Sequence, residues 1–347
     1  MIWLWILLGV LVGIPALAAL ALLVLTIYLR IKFIPYLVRI FQEKPFFIIP
    51  RGQPVDDAEE VSFLTSDGLT LRGCYFRATS SPRKGVILFG LEFGSTRWSS
   101  VPYCEFLRVD GFDIFTFEPR CQGDSEAQLG YEPLQWVTKY EIEDFRAALQ
   151  YLKGRPDADP RGIGLFGISK GGSAGLIVAA MDDYVRCFVT DGVFATHTTM
   201  LPYMRKWVGI YSRRDWLIQL LPDWYYGIIA KTGLRVVRRE RGCRFPHLEH
   251  FMHRLAPRPL LMIHGGGDVY IKPEMAIDLF ERARQPKEFW LVPDAKHNQA
   301  FHLAGAEYRA RVLQFFRTHL AMEPPANSFF TPSAESPPAQ EAVFSNP

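Results

Sequence analysis

Ser169 stands in Gly167-Ile168-Ser169-Lys170-Gly171-Gly172, a G-x-S-x-G arrangement that follows an apolar run at 162–166 and opens a stretch of small residues at 170–181. A hydroxyl between glycines can occupy a sharp strand-to-helix turn, because a strained backbone is tolerated only where its neighbours lack bulk. The same turn aims the first N–H groups of the helix at whatever the hydroxyl attacks, which favours a developing anion. An unassisted serine is a poor nucleophile, so this chemistry needs a base and an acid to orient that base. Two later segments offer them. The run 259–263 leads into His264-Gly265-Gly266-Gly267-Asp268, and the run 288–292 leads into Pro293-Asp294-Ala295-Lys296-His297. Ser169, Asp268 and His297 each follow a strand-like run, the end at which open α/β sheets build their sites. These residue types suit acyl transfer. His297 would take the proton of Ser169, which attacks an ester-like carbonyl, while Asp268 holds the imidazole and stabilises its cation. Neither a metal nor an organic cofactor is required.

Each residue also has a plainer reading. Ser169 would make a good helix N-cap, and Asp268 after three glycines is ordinary turn chemistry. His297 could be a solvated loop histidine, with His302 as the nearby substitute. Asp191, in Thr190-Asp191-Gly192, is the alternative acid, and His264 reads as a structural residue at a strand end. His247-x-x-His250-x-x-His253 has metal-like spacing, but no carboxylate or cysteine spacing completes it, and a polar helix face is the better reading.

The elements that must position these residues alternate along the chain. Runs at 61–64 and 69–76 read as strands joined by Ser66-Asp67-Gly68. Continuous apolar runs at 85–90, 112–117, 162–166, 185–190, 259–263 and 288–292 read as buried strands. Helical spacing at 140–152, 170–181 and 305–320 supplies flanking helices. The pattern predicts an α/β fold with a mostly parallel central sheet, helices on both faces, and a cap at 193–257 after the sixth strand.

This set of residues resembles the α/β-hydrolase superfamily over about 61–320, in the chain order Ser169, Asp268, His297. The resemblance implies a serine hydrolase of the carboxylesterase or lipase-like kind, acting on small acyl substrates. Glu118-Pro119-Arg120-Cys121-Gln122-Gly123-Asp124-Ser125 resembles the family's D-x-R-G-x-G-x-S loop, with Glu118 and Cys121 as departures. Leu91-Glu92-Phe93-Gly94-Ser95 stands where the family has His-Gly-x-Gly, which implies an oxyanion hole from the backbone N–H groups of Phe93 and Lys170. Glu92 is then expected to turn away or to pair with Arg97 or Arg120, because a carboxylate aimed at an oxyanion would oppose the reaction. The same triad serves amidases, peptidases and thioesterases, and the fold also permits a non-catalytic scaffold. The run 167–172 is similar to the elbow of acyl-CoA thioesterases.

Residues 1–29 carry no charged side chain, long enough as a helix to cross the roughly 30 Å hydrocarbon layer. A transmembrane anchor is favoured over a cleaved signal peptide, since the basic n-region is missing and the apolar run is too long. Arg30, Lys32, Arg39, Lys44 and Arg51 follow the span and predict a cytoplasmic catalytic domain. Residues 30–54, with Phe33, Tyr36, Leu37, Ile40, Phe41, Phe46 and Phe47, are expected along the membrane interface ahead of a hydrolase domain at 55–322. The tail at 323–347 reads as disordered. The cap's Tyr203, Trp207, Tyr211, Trp216, Trp224, Tyr225 and Tyr226, among Arg213, Arg214, Arg238, Arg239 and Arg241, fit either an anionic membrane surface or the lining of an apolar pocket. Lipid-like acyl esters follow as the expected substrates. A net charge of +3 argues against a nucleic-acid partner. Five scattered cysteines with no C-x-x-C pair argue against a disulfide framework.

Overall fold

The computed structural model describes residues 2–44, 52–212 and 222–321. Phe46, Phe47, Arg51, Arg213, Arg214, Trp216 and the tail at 323–347 lie outside the described residues, as do the side chains of Trp207 and Tyr211.

Eight strands form one sheet: β1 (Ala58–Leu64), β2 (Thr70–Phe76), β3 (Gly85–Gly90), β4 (Phe112–Glu118), β5 (Ile163–Ile168), β6 (Val185–Asp191), β7 (Leu260–Gly265) and β8 (Lys287–Val292). Their order is β1-β2-β4-β3-β5-β6-β7-β8. The β1–β2 and β2–β4 pairs are antiparallel and every later pair is parallel. Strands β3, β4, β5 and β7 are buried along their whole length, which is why they read as unbroken apolar runs. Helices α2 (Ser100–Asp110), α3 (Lys139–Gly154), α4 (Ser169–Ala179), α7 (Pro273–Glu281) and α8 (Ala300–His319) cover the two faces. One core packs Phe145, Leu149 and Leu176 under the sheet; the other packs Tyr103, Leu107, Val312 and Phe316 over it. Because the central strands are parallel, β3, β5, β7 and β8 deliver their following loops to one edge.

The insertion after β6 contains two described α-helices, α5 (Thr196–Ser212) and α6 (Asp223–Glu240), and two short 3-10 turns, Leu248–His250 and Met252–Arg254. The N-terminal helix α1 (Ile2–Gln42) runs unbroken through the apolar segment and on to this cap. Its Ile34, Val38 and Phe41 fall at i, i+4 and i+7, a single stripe. That stripe is buried against Tyr225, Tyr226, Ile229 and Leu234. Trp136 Nε1 donates to the Phe41 carbonyl at 2.9 Å, and the two rings stack with centroids 4.7 Å apart. One face of this segment, read as interfacial, seats on the cap. Tyr225 and Tyr226 are buried in that contact, whereas Trp224 is exposed.

Candidate active site

Ser169 begins α4 directly after β5, with φ of 50°, in the left-handed region. Such a turn is crowded: a Cβ on Gly171 would lie 2.3 Å from the Leu91 carbonyl oxygen, so the elbow packs straight onto the loop after β3. The loops after β7 and β8 meet in the same way. A Cβ on Gly265 would lie 2.3 Å from the Ala295 carbonyl oxygen. Close approach of these loops carries Asp268 and His297 to the serine.

Ser169 Oγ lies 3.0 Å from His297 Nε2, and His297 Nδ1 lies 2.6 Å from Asp268 Oδ2. The acceptor-only carboxylate sets the tautomer: Nδ1–H donates to Asp268, leaving Nε2 to accept from the serine hydroxyl. Asp268 is itself held, its Oδ1 accepting from the N–H of Tyr270 at 2.8 Å and of Ile271 at 2.9 Å. All three side chains are buried. His264 Nε2 is 2.8 Å from the Ile271 carbonyl and pins the loop that carries Asp268. His302, the alternative base, is exposed on α8.

Phe93 lines the small pocket over Ser169 together with Trp136, Phe194, Tyr203, Tyr270 and His297. Lys170 is the second residue of α4, so its N–H has no intrahelical partner. The side chain of Lys170, passed over in the sequence because the motif requires only its backbone, is buried. Its Nζ donates to Glu141 Oε1 and to the Leu134 carbonyl, both at 2.7 Å, and lies 5.3 Å from the Phe93 ring centroid. Burial alone would raise the Glu141 carboxyl, but the Lys170 ammonium and the Thr138 bonds hold it below its ordinary value. Lys170→Met should therefore destabilise the fold by about 3–5 kcal/mol, because it strands a buried carboxylate. Chemical denaturation of Lys170→Met checks this, and adding Glu141→Gln should restore part of the loss.

Glu92 pairs with neither Arg97 nor Arg120. Arg97 is taken by Glu60, Glu118 and Asp124, and Arg120 by Asp67 and Asp144. Glu92 is buried instead and accepts from Asn298 Nδ2, beside His297. Burial first, and Asp191 nearby, push its carboxyl up to about 8. A neutral carboxyl turned toward Asn298 does not oppose an oxyanion. Asp191 is likewise pushed up by burial, to about 7, and accepts from Tyr308 Oη at 3.1 Å rather than from His297. Glu92 Oε1, Asp191 Oδ1 and Asn298 Oδ1 have no partner among the described residues.

In the folded protein these two acids stay protonated through a range in which the unfolded chain, with values of 4.5 and 3.8, has already lost its protons. Their contribution is full below the unfolded values and is lost as pH rises through about 7 to 8. Glu92→Gln should flatten that decline. Its melting temperature should match wild type near pH 5 and exceed it near pH 9, roughly bracketing the window. A parallel fall in both proteins would remove Glu92 from the account.

In the loop after β4, Glu118 accepts from Arg97 N and Nη1 and from Asp124 N, at 2.8–3.0 Å. Cys121 has φ of 62°, a left-handed residue where the family has glycine. Near α5, the rings of His197, His247 and His250 stack in parallel, with centroids 3.5 and 4.7 Å apart. Glu249, between two of these histidines, brings a carboxylate to within 4.8 Å of their nitrogens, a completion the spacing did not reveal; His253 is outside the group.

A mostly parallel eight-stranded sheet with a cap after its sixth strand, and Ser, Asp and His delivered from three strand ends, defines an α/β-hydrolase fold. Residues 134–323, more than half of the chain, match the model of the prolyl oligopeptidase family, and the chain belongs to that family. Among curated proteins it is similar to the uncharacterized protein YfhR of Escherichia coli, 26% identical over 272 residues, covering 76% of this chain and 82% of YfhR. It is also similar to the thiohydrolase aneE of Aspergillus aculeatus, 24% identical over 287 residues, covering 69% of this chain and 86% of that protein. Among solved structures, an esterase of Pyrococcus furiosus superposes with a TM-score of 0.58 at 20% identity, covering 80% of this chain and all of that one. The α/β hydrolase GrgF from Penicillium superposes at 0.57 and 22% identity, covering 76% of this chain and 99% of its own.

Proposed function

We propose that the chain is a membrane-anchored serine hydrolase that cleaves acyl esters through Ser169, His297 and Asp268. The buried Ser169–His297–Asp268 hydrogen-bond chain carries this reading, and the backbone N–H groups of Phe93 and Lys170 are its proposed oxyanion donors. His297 takes the Ser169 proton as Oγ bonds to the acyl carbon. The carbonyl oxygen becomes an oxyanion facing the two N–H donors. The carbon–oxygen bond to the alcohol then breaks, and His297 gives that alcohol its proton. A water, deprotonated by His297, releases the acid and restores Ser169. Relatives described as thiohydrolases favour thioesters as the second substrate class.

Helix α1 supports the anchor. Its stretch Gly9–Tyr28 is long and apolar enough to cross a membrane and is not buried among the described residues, touching the cap at its end through Thr26 and Tyr225. Arg30, Lys32, Arg39 and Lys44 beyond it favour a cytoplasmic domain. A fluorophosphonate probe should label the full chain in membranes, and the chain should stay there in high salt, which screens basic residues but leaves an inserted helix in place. A panel of matched esters and thioesters assigns the bond. No labelling and no turnover of any panel member would leave only the non-catalytic scaffold.

A further inference from the structure

The pocket directly over Ser169 is nearly closed, about 10 Å³, room for about one water. A second cavity of about 470 Å³ lies against it, within the size range of small-ligand sites. The two share Gln135, Trp136, Tyr203 and Tyr270 in their walls. Tyr203 Oη, on α5, donates to the Tyr270 carbonyl at 2.8 Å and so ties the cap to the loop of Asp268 across that shared boundary. The larger cavity is walled by Met200 and Met204 of α5 on one side and by Leu37, Ile40 and Phe41 of α1 on another. Methionines give such a wall an adaptable apolar surface.

The helix that supplies this wall is the one proposed to cross the bilayer. From Tyr28, where the apolar stretch ends, to Leu37 the helix rises about 13 Å, at roughly 1.5 Å per residue. With headgroup layers of roughly 5–7 Å on each side of the hydrocarbon, the cavity stands just beyond the membrane surface. A soluble substrate site has no need of a wall from a membrane anchor. An acyl chain leaving the bilayer would meet the apolar side chains of Leu37, Ile40, Phe41, Met200 and Met204, while Glu43, Lys44 and Lys206 in the same wall suit its polar end.

We propose that the cavity between α1 and α5 is the acyl-chain site for ester lipids drawn from the membrane, with Tyr203 and Tyr270 as the gate to Ser169. It rests on reading Ser169 as nucleophile and α1 as anchor. The occupant is the long acyl chain of a bilayer lipid rather than that of a soluble ester.

The test uses the full chain in phosphatidylcholine vesicles, with monopalmitoyl glycerol in the same vesicles and p-nitrophenyl acetate in solution. Ile40→Trp should fill the cavity and lower the ratio of kcat/KM for the palmitoyl over the acetyl substrate by about tenfold or more, on the scale of a few methylenes of pocket contact. Ile40→Phe should lower it less. A photoactivatable palmitoyl ester should crosslink to peptides carrying Leu37 to Phe41 or Met200 to Met204 in wild type, a readout that does not depend on a variant folding. An unchanged ratio in folded Ile40→Trp, or crosslinks confined elsewhere, overturns the cavity assignment while leaving the hydrolase reading standing. Turnover of the acetyl ester with none of the palmitoyl lipid does the same. Loss of both activities in wild type, without fluorophosphonate labelling, overturns the hydrolase reading and the cavity with it.

Discussion

Ser169→Ala should lower kcat by about 10⁶ and abolish fluorophosphonate labelling, with the melting temperature unchanged within a few degrees. The size follows from the chemistry: without Oγ there is no acyl-enzyme, and what remains is whatever binding and the oxyanion donors do for direct attack by water. Alanine keeps the backbone of the elbow and removes a buried hydroxyl whose partner, His297, is still held by Asp268. The sharper form of the test is non-additivity. With Ser169 Oγ 3.0 Å from His297 Nε2 and the two proposed to act as one unit, His297→Ala should cost about as much as Ser169→Ala, and the double variant no more than either. Losses that multiply would mean two independent roles. Labelling that persists in Ser169→Ala would place the nucleophile elsewhere.

The sheet could be read from the sequence because its central strands are buried on both faces. Gly85–Gly90 and Ile163–Ile168 have no exposed side to interrupt them with polar residues. Helix α2 could not. Its apolar residues are few, and Tyr103, Cys104 and Leu107, the ones that pack on the sheet, mark no long periodic run. The short α7 begins at Pro273 and hides behind the glycine-rich turn before it. In the site, residue types at strand ends were legible, but pairings across the fold were not. Glu92 meets Asn298, and Lys170 meets Glu141, only because the chain returns to the same edge of the sheet. The cap's aromatics posed the same problem. Tyr225 and Tyr226 have the pattern of a surface or a pocket lining, and nothing local states that α1 covers them. Burial raises the Glu92 carboxyl to about 8, and the bond it accepts from Asn298 ties the loop after β3 to the loop after β8.

Asp268→Asn should lower kcat by about 10⁴, and Asp191→Asn by no more than about tenfold. Both acids are buried and both end or follow a neighbouring parallel strand, so burial does not separate them. Hydrogen bonding does. Asp268 Oδ2 takes the Nδ1–H of His297 at 2.6 Å, while its Oδ1 is fixed by the N–H groups of Tyr270 and Ile271. Those two donors require an oxygen at Oδ1, so an asparagine at 268 keeps its carbonyl there and turns its NH₂ toward Nδ1. The imidazole must then carry its proton on Nε2, where it can no longer accept from Ser169. The fold survives and the base is lost. At 191 the carboxyl already accepts from Tyr308 Oη, which an amide oxygen can do as well, and its pKa raised to about 7 by burial makes the neutral amide a close substitute near neutral pH. Asp191→Asn should accordingly stay within about tenfold of wild type in activity at pH 7 and lose less stability than wild type as pH rises from the unfolded value of 3.8 through about 7. Steady-state kinetics of both variants, with melting curves to establish folding, decide the matter. A large loss in Asp191→Asn with a small one in Asp268→Asn would move the orienting acid to the end of β6.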